Sequence, residues 1–344
     1  MNTQALVRRG LLGALGGLAL LALVVSALQQ TLGDPEELKS LLVQTESRGL
    51  ILALLIMSLG MLFMALRWRA LFPRDQGKLP PLVGLAGILC TGLMLNIALP
   101  GPVGELAGAA MVQQRYNIHA TQALAAAVHA RFIGLGTAGM VAGVCWFLGG
   151  LVLAEHTRSF LGVIAGAIIA LAVGLWLVSM HPVWIERIAQ TLLSPFKRMP
   201  RIERFVSRLQ DTISHFAQAL HTLGKPDRRH VYATLWSFGG HLCVGLGVFV
   251  GAQALGQSPG PAAIYFVYAT VTAGSFVLFA LPGGQLGWDA GFFGLLVSVG
   301  GLSPEAAGAL TLLVRAQQTA ILLLGASVLA FWRRPLSLPD AEGP

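Results

Sequence analysis

Twice along this chain a hydrophobic stretch is broken by proline and glycine, then followed by an acid and, twenty-six positions later, by an arginine. The first copy reads Leu99-Pro100-Gly101-Pro102-Val103-Gly104-Glu105, with Arg131 downstream. The second reads Leu281-Pro282-Gly283-Gly284-Gln285-Leu286-Gly287-Trp288-Asp289, with Arg315 downstream. Proline removes a backbone donor and glycine weakens a helix, so both interrupt helices. In hydrocarbon such a break survives only where it is buried in protein or lines a watery cavity. Charges at that depth are costly and mark functional sites. A duplicated unit of broken helix, acid and arginine therefore points to a transport site.

Composition puts the chain in a membrane. Charged residues make up 11% of the 344, the hydrophobic fraction is 55% and the mean hydropathy is +0.71, against roughly 25% charged in soluble domains. The net charge of +8 reads as basic cytoplasmic loops facing anionic lipid headgroups, not as a nucleic-acid surface. Cys90, Cys145 and Cys243 sit in apolar segments without pairing or ligand spacing. Neither a disulfide framework, a metal nor a cofactor is expected. Arg8-Arg9 and the apolar run to Ala27 resemble a secretory signal, with Val25-Ser26-Ala27 as a cleavage site. With many spans following, an uncleaved first helix is the expectation.

Full spans are expected near 11–28, 50–66, 120–150, 159–180, 231–254 and 304–332. Two further apolar regions, 82–113 and 262–300, are split by the Pro-Gly motifs. Each reads as a re-entrant hairpin of two short helices, although 82–99 and 262–281 are each just long enough to cross. The stretch 67–80 carries Arg67, Arg69, Arg74 and Lys78, the stretch 183–230 is strongly basic, and Arg333-Arg334 follow the last span. The positive-inside rule then places both termini in the cytoplasm, with one hairpin entering from that side and the other from outside.

The expected fold is an all-α polytopic membrane protein: an inverted-topology repeat of about six full spans and two re-entrant hairpins. Residues 1–335 form a single transmembrane domain, with halves of about 50–150 and 231–332 offset by about 182 to 184 positions, and 336–344 form a short cytoplasmic tail. Within the linker at about 183–229, Ile202, Phe205, Leu209, Ile213, Phe216 and Leu220 recur at helical spacing, with Arg201, Arg204 and Arg208 on another face. That is an amphipathic helix for the cytoplasmic interface, in reach of anionic lipid. Trp68, Trp184 and Trp332 close cytoplasmic span ends, where interfacial anchoring is their ordinary role.

Arg131 and Arg315 fall about eleven residues into their helices, near mid-membrane at about 1.5 Å per residue. A guanidinium there matches a phosphate through two parallel donors, so both arginines are candidate lipid-headgroup ligands. Glu105 and Asp289 are candidates for gating or proton coupling. Asn96, Pro100, Gly101, Gly104, Pro282, Gly283, Gly284 and Gly287 are candidate hinge residues at the breaks. The bland alternative is two buried ion pairs that only fix the fold. His129 faces elsewhere on its helix, and Gln317 and Gln318 are read as satisfying freed backbone groups. No nucleophile, zinc, P-loop or dinucleotide motif has the flanking context its chemistry needs, so no enzyme is expected.

Asn96, Leu99-Pro100-Gly101, Gly104-Glu105, the Arg67-Trp68 pair, Pro282-Gly283-Gly284, Gly287, Asp289 and Arg315 resemble the lysylphosphatidylglycerol synthase transmembrane-region family over roughly 11–335. Two departures stand out. Pro102 occupies a place where the family often has arginine, and the second motif has Gly287 displaced by one and Asp289 for glutamate. The resemblance implies translocation of an anionic or modified lipid between leaflets of the plasma (inner) membrane, of aminoacyl-phospholipid, glycolipid or polyprenyl-phosphate type. Members that make aminoacyl-phospholipid carry a soluble transferase after the membrane region, and the chain stops about ten residues beyond Arg334, so aminoacyl transfer is not expected. An intramembrane enzyme acting on headgroups and a scaffold of a lipid-synthesis complex stay open as alternatives, as does a homo-oligomer.

Overall fold

Long apolar runs without interior proline leave the backbone one way to satisfy its polar groups in hydrocarbon, the α-helix. The computed structural model describes residues 45, 47–72, 79–98, 103–149, 151, 155–179, 187, 191, 227–278 and 284–332, and all regular secondary structure among them is helical. The helices are α1 (Ser47–Ala70), α2 (Leu82–Ala98), α3 (Val103–Tyr116), α4 (Ala120–Leu148), α5 (Glu155–Ser179), α6 (Arg228–Ala254), α7 (Pro261–Leu278), α8 (Gly284–Ser298) and α9 (Pro304–Ala330). Of the described helices, α1, α4, α6 and α9 are long and apolar enough to cross a membrane. The first expected span, the amphipathic linker and the tail lie outside the described residues, as do Trp184 and the break residues Pro100, Gly101, Pro282 and Gly283.

Two sets of four helices, α1–α4 and α6–α9, carry the packing, and the pattern of contacts is unchanged when the sets are exchanged. Helix α1 packs along α6; α2 packs on α9 as α7 packs on α4; each pair flanking a break, α2 with α3 and α7 with α8, packs together. Helix α5 lies outside this exchange and rests on α4 and α7. The central pair, α1 and α6, runs antiparallel: Gly49 meets Ala254, Gly60 meets Gly240 and Val244, and Arg67 meets Ser237. Small residues let these backbones approach. A Cβ on Gly247 would sit 2.3 Å from Met57 Cγ and 2.8 Å from the Ala53 carbonyl.

Two apolar cores stack along the bundle. One joins the end of α1, α2, α3 and the first half of α4, with Met94, Met111 and Ile133 fully buried. The other joins α7, α8 and the first half of α9 to the last part of α6, with Phe266, Phe292 and Leu310 at its centre. Leu52, Leu55, Leu59, Leu235, Leu242 and Leu324 are exposed on the outside, the apolar rim a lipid-facing bundle needs.

Helix α6 begins with a reciprocal cap. Asp227 Oδ1 accepts from the Arg229 N–H at 2.8 Å, and the Asp227 N–H donates to His230 Nδ1 at 3.0 Å. Partial burial pushes the Asp227 carboxyl up, but hydrogen bonds from the Arg229 side chain and backbone N–H outweigh it and hold the group below the usual carboxylate range. The cap thus stabilises at neutral pH and is lost as pH falls through that lowered value. Asp227→Ala is expected to cost about 1 kcal/mol, read as a lower melting temperature of the purified protein.

Two expectations at the end of α1 are corrected. Trp68 is no interfacial anchor: it is buried, and its Nε1 donates to the Ala123 carbonyl at 3.2 Å. Arg67 is not a loop charge either, because α1 continues to Ala70 and carries Arg67 into the interior.

Candidate functional site

The first acid is fixed across its helix break. Asn96, in the last turn of α2, accepts from the Gly104 N–H through Oδ1 at 2.7 Å and donates from Nδ2 to Glu105 Oε2 at 2.8 Å. One side chain thus satisfies a free N–H at the start of α3 and orients the carboxylate beside it. The other oxygen, Glu105 Oε1, accepts from Arg131 NH1 at 2.6 Å. Arg131 lies eleven residues into α4, about 16 Å along it. Its side chain is 46% exposed, while that of Glu105 is 12% exposed.

Gly104 lies within α3, where it sets the approach of α2. A Cβ there would fall 1.9 Å from the Gly92 carbonyl oxygen and 2.6 Å from Asn96 Oδ1. Gly104→Ala is therefore expected to push α2 and α3 apart at a cost of about 1–3 kcal/mol, and to loosen the Asn96–Glu105 link. A melting temperature equal to wild type would contradict this packing.

The second pair uses the same spacing but a different setting. Arg315, eleven residues into α9, donates from Nε at 2.7 Å and from NH2 at 2.6 Å to the same oxygen, Asp289 Oδ1. Its NH1 donates to Gln318 Oε1, and its guanidinium lies 5.7 Å from the Trp288 ring centroid. The side chains are 5% and 7% exposed. Asp289 Oδ2 is buried without a hydrogen-bond partner among the described residues. Gly284 opens α8 and Gly287 is half-buried within it.

Both expected acid–arginine pairs are therefore formed, with one half-exposed and the other sealed. Gln318 serves the Arg315 guanidinium through its Oε1. His129 is buried and meets the His230 ring edge-on at 5.0 Å between centroids. Sequence reasoning did not find the interior place of Arg67. The signal was available in the unbroken apolar helix around it. Among the described residues no group of three or more His, Cys, Asp or Glu side chains is arranged to hold a metal.

Fold and site define an all-helical, multi-pass membrane protein with charge pairs inside its helix bundle. The chain belongs to the family described as the lysylphosphatidylglycerol synthase TM region, whose model matches residues 14–325. That places it among membrane proteins related to lipid synthesis and transport. No curated protein and no solved structure matches the chain.

Proposed function

We propose that this protein moves an anionic or modified lipid between the leaflets of the plasma (inner) membrane. The substrate class is aminoacyl-phospholipid, glycolipid or polyprenyl-phosphate, and Arg131 and Arg315 hold the headgroup. The observation that carries this reading is the pairing of Arg131 with Glu105 and Arg315 with Asp289 at equal helix depth, one pair half-exposed and one sealed. In inverted-repeat transporters the two halves meet at one mid-membrane site that opens to each side in turn, and one half-exposed and one sealed pair fit that plan. Glu105 and Asp289 hold the arginines when no lipid is bound, and gate or take up a proton as the headgroup displaces them.

The exchangeable packing and the antiparallel α1–α6 pair support an inverted repeat. Helices α3 and α8, at 14 and 15 residues, reach only about 21–23 Å, short of the roughly 30 Å hydrocarbon core. That supports re-entrant hairpins broken at the Pro-Gly motifs; the first span and α5 are proposed to lie outside the repeat, for six full spans in all with both termini cytoplasmic. The test is mass spectrometry of lipid co-purifying with the full chain. Enrichment of an aminoacylated phospholipid, a glycolipid or a polyprenyl phosphate over the bulk membrane is expected; a bulk-like lipid profile would contradict the reading.

A further inference from the structure

Arg67 is buried at 8% exposure, and no carboxylate pairs with it among the described residues. Its NH1 donates to Ser237 Oγ at 2.9 Å. Ser237 Oγ lies 2.6 Å from Thr137 Oγ1, which itself donates to the Ile133 carbonyl at 2.8 Å. With the Thr137 proton used there, Ser237 is the donor to Thr137, so the chain runs away from the guanidinium through neutral groups. His241 Nε2 donates to the Gly134 carbonyl at 2.9 Å, because a carbonyl only accepts. Arg67 Nε is buried with no partner among the described residues. A buried cation without a carboxylate partner is costly to keep, and the described neighbours Ser237 and Tyr268 carry no carboxylate to offset it.

The place of this cation is specific. Its NH1 would lie 2.3 Å from a Cβ on Gly134, so the guanidinium rests on bare helix backbone. Gly134 is three residues after Arg131, and such positions share a helix face about 5–6 Å apart. The equivalent place after Arg315 is filled by Gln318, which hydrogen-bonds its own arginine. Arg67, set against Gly134 on the helix that carries Arg131, adds one positive charge beside the Arg131–Glu105 pair, whereas Arg315 and Asp289 balance.

We infer that Arg67 is an oxyanion-binding residue that acts with Arg131 on the phosphate of a lipid headgroup at the half-exposed first pair. This rests on the lipid-transport reading and adds to it a reason for the asymmetry: the first half-site captures the anion and the second stays neutral. A phosphate oxyanion, with its several acceptor oxygens, suits two guanidiniums held against one helix.

The test measures binding to the full chain in detergent, with dihexanoyl phosphatidylglycerol, inorganic phosphate and dihexanoyl glycerol as probes. Wild type is expected to bind the phospholipid and not the phosphate-free glycerol lipid. Arg67→Gln is expected to weaken that binding at least tenfold, and Arg67→Lys less. Ser237→Asp gives Arg67 an internal counter-ion, so it is expected to lose binding tenfold while melting no lower than wild type. Wild-type affinity in Ser237→Asp, with Arg131→Ala still impaired, would overturn this inference alone. That variant decides the matter if Arg67→Gln fails to fold. Equal affinity for inorganic phosphate would support the oxyanion assignment and contradict a lipid cargo. Wild type binding none of the probes would overturn this inference, while the transport reading stands or falls on the lipid that co-purifies with the chain.

Discussion

Arg131→Ala is expected to abolish lipid translocation while leaving the fold standing. The Arg131 side chain is 46% exposed, so its pair with Glu105 is screened and contributes at most about 1 kcal/mol to stability. Glu105 keeps the Asn96 hydrogen bond when the arginine is gone, so no carboxylate is stranded. A headgroup phosphate, by contrast, loses a charged two-donor partner. Losing such a partner costs about 2–5 kcal/mol, a slowing of roughly thirtyfold or more. The expected result is a near-wild-type melting temperature with translocation at the protein-free background, and partial recovery in Arg131→Lys. Wild-type translocation in the folded variant would leave Arg131 without the assigned role.

Arg315→Leu should behave in the opposite way with respect to stability. Asp289 and Arg315 are 7% and 5% exposed, and truncation leaves the carboxylate buried alone. Breaking a buried pair from one side costs about 3–5 kcal/mol. Removing both partners is far milder, because no charge is left unpaired. The double variant Arg315→Leu with Asp289→Leu is therefore expected to regain most of the lost stability and to stay inactive in transport. Denaturation of the purified protein in detergent reads the difference. Equal losses in the single and double variants would mean the two groups are not coupled in the membrane. The pairs share one sequence spacing, yet one is half-exposed and the other sealed.

Much of this site was legible in the sequence. The spacing of Glu105 to Arg131 and Asp289 to Arg315 survives as two hydrogen-bonded pairs, because each break delivers its acid to the following short helix and each arginine sits at equal depth. The helix starts recur in step, with His119 and Ser303 as N-caps. The sequence could not show which pair is open. Both helices are apolar on all sides, so periodicity does not tell a lipid-facing stripe from a buried one. Arg67 and Trp68 were misread for a related reason: charge and tryptophan near a span end ordinarily face the interface, but α1 packs along α6 to its last turn. Asn96 was identified as a break residue, but its bond to Glu105 depends on how α2 and α3 fold back on each other.

The central claim is that the chain carries a lipid headgroup across the bilayer. Its most direct test is wild-type protein in sealed proteoliposomes holding fluorescent phosphatidylglycerol, lysyl-phosphatidylglycerol, a glycolipid, polyprenyl phosphate or diacylglycerol, with outer-leaflet fluorescence quenched from outside. At least one anionic or modified lipid is expected to become accessible faster than in protein-free vesicles, while diacylglycerol, which has no headgroup to hold, is not. Every lipid moving at its own protein-free rate, or diacylglycerol accelerated by the protein as much as the others, would contradict it.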